Sequence, residues 1–195
     1  MKKLIYSLFI LFCAFSLTAL TAQAASKEIA GVEVPDTITV DGNELQFNGG
    51  GIRSKWFMSL YVGSLYLPEK MDNPNEVIGG DKPMAITLDI VSGMITSERM
   101  SEATIEGFEN ATSGNMEPIQ EDVDAFMKNF EKEIKEGDHF RIAYLPEQGV
   151  VVYKNGEKTG TVKGGMDFKQ ALFAIWLGDT PAQESVKQAM LGKEG

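Results

Sequence analysis

The sequence predicts a single α+β domain, an antiparallel sheet of about six or seven strands with about four helices layered on it. Three observations carry this. Strand-like alternation fills the first third, helical stripes fill the middle, and strands followed by helices fill the last third. Asp41-Gly42 and Asn155-Gly156 each stand between two alternating runs, which is the signature of a tight hairpin. No repeat, low-complexity tract or linker divides the chain.

The elements follow in order. Residues 1–24 read as a cleavable signal peptide: Lys2 and Lys3, an apolar run from Leu4 to Leu20, then Ala22-Gln23-Ala24 as a small-x-small cleavage site. The run is shorter than the roughly 20 residues a membrane span needs. The domain is therefore expected over 25–195, in the periplasm or secreted, with no stable membrane association after cleavage. Asp36 to Val40 and Glu44 to Asn48 alternate as strands, and Gly49-Gly50-Gly51 interrupts the pattern as a tight turn or bulge. A long apolar strand runs from Trp56 to Leu67. After Pro83, Met84, Ile86, Leu88 and Ile90 take one face of the next strand. Met100, Ala103, Thr104, Gly107 and Phe108 mark a helix over about 97–110. Ile119, Val123, Phe126, Met127, Phe130 and Ile134 mark a longer one that ends at Gly137. Phe140 to Tyr144, Val150 to Tyr153 and Thr159 to Val162 are strands. A helix through Phe168, Leu172, Ile175 and Trp176 stops at Gly178, and Thr180-Pro181-Ala182-Gln183 opens the last helix as a capping box.

Composition excludes several chemistries. Cys13 is the only cysteine and lies within the signal, so disulfides, thiol nucleophiles and cysteine metal sites are not expected in the mature chain. His139 is the only histidine, which leaves little for a zinc site or a catalytic triad and suits a surface residue better. No metal or cofactor is expected. The net charge is −10, two units more negative once Lys2 and Lys3 are removed, which disfavours nucleic acid and anionic surfaces as partners. The glycine triplet leads into a strand and no Lys-Ser/Thr pair follows, so it is not a phosphate-binding loop.

Two residues stand out. On one face of the strand from Trp56 to Leu67, small Ser59 and Gly63 flank Tyr61, leaving room beside a phenol; either a ligand or a helix side chain fills it. Arg53, one of three arginines in a lysine-rich chain, stands just before this strand. Its planar fork suits a carboxylate or phenolate, and a surface salt bridge is the competing reading.

Asn48-Gly49-Gly50-Gly51-Ile52-Arg53-Ser54-Lys55, Leu60 to Leu67 and the closing Ala171 to Pro181 together resemble the chalcone isomerase superfamily, and within it the bacterial secreted chalcone isomerase-like branch. Gly31 to Pro35 fits as well, so the resemblance spans nearly the whole mature chain. It implies an open-faced β-sandwich, a large antiparallel sheet with helices against it and a cleft between. In the plant isomerases an arginine from the glycine-rich segment steadies developing negative charge as a phenolate attacks an enone, and Arg53 matches it. Tyr61 falls where those enzymes carry a threonine on the following strand. Ile175 falls where they carry a second threonine lining the cleft, which makes the cleft drier. Arginine beside tyrosine resembles instead the noncatalytic fatty-acid-binding relatives, in which the pair holds a carboxylate.

Three functions follow. The first is a noncatalytic binder of a small hydrophobic or aromatic acid, with Arg53 and Tyr61 at the polar end of the site and Ile175 lining the cleft. The second is an isomerase of the chalcone–flavanone type, with Arg53 as the only assignable catalytic residue. The third is a protein-interaction module whose cleft is closed.

Overall fold

Xaa-Gly pairs close three of the hairpins. In the computed structural model, which describes residues 25–193, Ala30-Gly31, Asp41-Gly42 and Asn155-Gly156 stand at positive φ at both positions. That backbone twist matches the twist of the flanking strands. The first pair joins β1 (Ser26–Ile29) to β2 (Val32–Pro35), a small separate sheet that the strand pattern did not reveal. The main sheet is an antiparallel meander of seven strands: β3 (Thr37–Val40), β4 (Asn43–Lys55), β5 (Met58–Leu67), β6 (Met84–Ile90), β7 (His139–Leu145), β8 (Gly149–Lys154) and β9 (Glu157–Val162). The α+β reading with a seven-stranded antiparallel sheet therefore holds. The proposed signal peptide lies outside the described residues.

The sheet is covered on both faces. On one, Val62 and Tyr66 of β5 pack with Ala85, Ala143 and Val151 against Val34, Ile38, Leu45 and Phe47, as the curled sheet and the N-terminal strands close over it. On the other lie five helices: α1 (Pro74–Gly79), α2 (Ser97–Ala111), α3 (Gln120–Met127), α4 (Met166–Leu177) and α5 (Glu184–Met190). Helix α4 is apolar nearly all round and buried accordingly. A cluster of Phe108, Phe126, Phe130, Phe140 and Phe168, with ring centroids 5.5–6.1 Å apart, binds helices to sheet. Among the described residues, the buried members of both hydrophobic clusters lie within residues 34–191. Among the described residues no helix is long and apolar enough to cross a membrane.

Several elements depart from the sequence pattern. Helix α1 was missed, because its six residues span less than two turns; it rests on the Asn73 cap and Pro74 in its first turn. The expected helix to Ile134 ends as α at Met127, with a single 3-10 turn over Lys128–Phe130 beyond it. There the buried Asn129 side chain donates to the Phe126 carbonyl and accepts from the Thr159 hydroxyl, each at 2.8 Å, satisfying groups the helix would otherwise have used. The expected capping box does not form either. Ala182 N–H instead folds back onto the Ile175 carbonyl at 2.7 Å, and α5 starts at Glu184.

The glycine triplet does not end its strand. It lies inside β4, and the irregularity falls one residue earlier, where buried Asn48 is left unpaired between Phe47 and Gly49. A Cβ at Gly49 would stand 2.0 Å from the Ala189 carbonyl oxygen, and one at Gly51 would stand 2.8 Å from the Ala189 Cβ. The triplet thus lets α5 lie directly on the strand. Asn48 fastens the arrangement, donating to the Met71 and Met190 carbonyls, both at 2.8 Å.

Candidate functional site

A second bulge builds the site. Arg53 pairs with Tyr61 across β4 and β5, but Ser54 pairs with Ser59, so Leu60 is the extra residue. Strict alternation had put Met58 and Leu60 on the face of Val62. The bulge reverses the alternation toward the hairpin tip, and Leu60 joins Tyr61 in the helix-side core. Strand β5 also starts at Met58, because Trp56 and Phe57 form the turn.

Arg53 and Tyr61 are consequently neighbours. The guanidinium carbon lies 5.6 Å from the phenol ring centroid, within cation–π range. Tyr61 is 2% exposed, and its hydroxyl accepts from Trp176 Nε1 at 2.9 Å. That bond joins β5 to α4 and leaves the phenol proton with no acceptor among the described residues. On the Gly63 side, the space beside Tyr61 is filled: a Cβ on Gly63 would meet Met190 Cε at 2.7 Å. A helix side chain, from α5, occupies the gap that small residues left.

The open space lies further toward the hairpin. A cavity of about 420 Å³ opens between the β4–β5 hairpin and α2, inside the roughly 300–1,000 Å³ range of small-molecule sites. The hairpin contributes Arg53, Lys55, Trp56, Met58 and Leu60. The segment before α2 contributes Met94 and Ile95, and α2 contributes Arg99, Glu102, Ala103 and Glu106. The walls are mainly apolar, with three cations and two carboxylates among them. Among the described residues Arg53 forms no ion pair, so neither Glu102 nor Glu106 neutralises it and the surface salt bridge does not form. Arg99 instead donates to the Met94 carbonyl at 3.0 Å, holding the segment that walls the cavity.

The predicted residues are thus divided. Arg53 lines the cavity and Tyr61 lies beneath Arg53, outside the lining. Ile175 is not among the lining side chains either: it is 4% exposed and packs on Gly107, where a Cβ would stand 2.8 Å from its Cγ2. Its apolar side chain serves the close approach of α2 and α4. Arg99, Lys55 and Met94 went unrecognised. Arg99, Ala103 and Glu106 are spaced along one side of α2, at the border of the apolar stripe to which Ala103 belongs.

Other groups capable of chemistry are accounted for elsewhere. His139 Nδ1 lies 2.7 Å from Asp89 Oδ1 across β6 and β7. Among the described residues, no three metal-ligating side chains gather. Lys169, fully buried in α4, donates to the carbonyls of Val77, Ile78 and Gly80 at 2.5–3.0 Å and so caps the C-terminal end of α1; burial pulls its pKa down to about 8.

A curled antiparallel sheet with helices on one face, and a cleft between hairpin and helix, defines an open-faced α+β sandwich. The chain belongs to the chalcone isomerase-like family, whose model matches residues 26–192. No curated protein matches it in sequence. In structure it is similar to a fatty-acid binding protein of Arabidopsis thaliana, with a TM-score of 0.66 and 15% identity over 87% of this chain and 96% of that one. At that identity the likeness is one of fold.

Proposed function

We propose that this protein is a noncatalytic binder of a small hydrophobic acid, of the fatty-acid type, and that it belongs to the bacterial secreted branch of the family. Residues 1–24 then direct it to the periplasm. The observation that carries the reading is Arg53: an arginine without an ion-pair partner among the described residues, stacked on the Tyr61 ring, at the wall of a mainly apolar cavity. A carboxylate at that guanidinium forms a charge-assisted, two-pronged bond. The chain of the acid lies along Met58, Leu60, Met94 and Ile95, each buried CH₂ contributing roughly 0.8 kcal/mol. Tyr61, outside the lining, contributes through Arg53, whose guanidinium its ring supports.

Native mass spectrometry of the purified protein tests this directly, followed by titration with a long-chain fatty acid. A charge-assisted bond of about 1.5–3 kcal/mol means that Arg53→Ala weakens binding by roughly ten- to a hundredfold. Equal affinity for an acid and its methyl ester would sink the carboxylate assignment.

The isomerase reading rests on the match of Arg53 to the glycine-rich segment of the plant enzymes. Saturable, Arg53-dependent cyclisation of a hydroxychalcone would establish it over the binder. The interaction-module reading draws on Met190, which fills the space beside Tyr61; it requires that no acid binds in the cavity.

A further inference from the structure

The tip of the β4–β5 hairpin is the most apolar exposed point among the described residues. Trp56, Phe57 and Met58 are 84, 102 and 43% exposed, and no other large hydrophobic side chain there is comparably bare. The backbone makes this costlier still. Trp56 stands at φ 64°, the kind of first turn position that a two-residue hairpin fills most easily with glycine. The other non-glycine residues at positive φ are Ala30, Asp41, Ser113 and Asn155, all small or turn-forming. A bulky aromatic in a strained turn, left 84% exposed, contributes little to folding.

The hairpin that carries the tip is basic in an acidic molecule. The chain carries 28 acidic residues, yet none lies between Glu44 and Glu69, while Arg53 and Lys55 flank the tip; across the cavity α2 adds Arg99 with Glu102 and Glu106, so cations outnumber carboxylates around it. An indole and a phenyl ring projecting beside cations match the boundary of an anionic bilayer, where aromatic rings settle among headgroups and lysine and arginine meet phosphate. Trp56 and Met58 also line the cavity, so a tip seated in headgroups brings the cavity edge to the lipid.

We propose that the Trp56-Phe57-Met58 tip is a docking finger for anionic phospholipid surfaces, held by Lys55 and its neighbours against the repulsion of an acidic chain. The contact is reversible, since one short apolar tip is far from a membrane span. It stands whatever molecule occupies the cavity.

The test uses the chain from Ala25, because the N-terminal apolar run would itself bind vesicles. Phosphatidylglycerol vesicles free of fatty acid are sedimented with wild-type protein, with Trp56→Gly/Phe57→Ser and with Lys55→Glu. At low salt the wild type is expected to pellet, with partitioning at least tenfold above both variants and falling as salt rises. Trp176 is the only other tryptophan and is buried, so in a Trp176→Phe background the emission of Trp56 shifts to the blue on vesicle addition. If that background does not fold, sedimentation alone decides. Wild-type protein left in the supernatant, or pelleting unaffected by the tip changes, overturns the proposal. So does a tip-dependent dimer seen in lipid-free protein with no vesicle binding, which would make the finger a contact for a second copy.

Discussion

Gly49→Ala places a methyl group 2.0 Å from the Ala189 carbonyl oxygen, 2.8 Å from the Met190 oxygen and 3.0 Å from the Gly192 nitrogen. All three are backbone atoms, so no side chain can turn aside, and α5 must withdraw by roughly 1 Å to reach a tolerable contact. That shift carries the Met190 carbonyl beyond hydrogen-bond reach of the buried Asn48 amide, now at 2.8 Å. Overpacking costs about 1–3 kcal/mol, and the one Asn48 N–H left without its partner about 1–3 kcal/mol more. Roughly 2–6 kcal/mol is therefore lost, out of a total stability of about 5–15 kcal/mol for an ordinary domain. Urea unfolding followed by far-ultraviolet circular dichroism measures it. Gly51→Ala supplies the internal control, because its methyl meets the Ala189 side chain at 2.8 Å. Ala189→Gly should recover stability in the Gly51→Ala protein, less about 1 kcal/mol for glycine in a helix, and should not rescue Gly49→Ala. A Gly49→Ala protein within about 1 kcal/mol of wild type would refute the claim that the triplet exists to seat α5.

Further outcomes follow from other contacts. Tyr61→Phe strands the buried Trp176 N–H and should cost about 1–3 kcal/mol; in a cycle with Trp176→Phe the pair should show a coupling of about 0.5–3 kcal/mol, and additive losses would disprove the bond. Trp56→Gly relieves a left-handed backbone and should leave stability unchanged or raised by up to about 1 kcal/mol, whereas a clear loss in thermal unfolding would show that the indole packs on the fold. Lys169 titrates near 8 when folded and near its ordinary 10.5 when unfolded. Between those values the unfolded chain keeps a proton that the native protein has released, so stability rises with pH. Wild type should therefore gain on Lys169→Met from about pH 8 to 10, and the tyrosines that begin to ionise there are common to both proteins; a difference independent of pH would mean the three carbonyls offset the burial.

Local pattern in the chain is enough for the frame. Asp-Gly and Asn-Gly pairs dictate hairpins because few other residues tolerate their dihedral angles, and the alternation of Met84, Ile86, Leu88 and Ile90 assigns a strand its buried face. It also singled out Arg53 and Tyr61, one as a rare cation in a glycine-rich stretch and the other by its small neighbours. What surrounds them depends on long-range packing. The bulge at Leu60 depends on how β4 and β5 pair, and one unpaired residue exchanges the faces of everything beyond it. The space beside Tyr61 is closed by Met190, a side chain from the far end of the chain. Ile175 faces Gly107 rather than the cavity because two helices approach there. Arg99 joins Arg53 only because α2 lies across the hairpin. Periodicity reports which face of an element is buried; which atoms it is buried against is set by contacts between residues distant in the chain, and no local pattern carries that information.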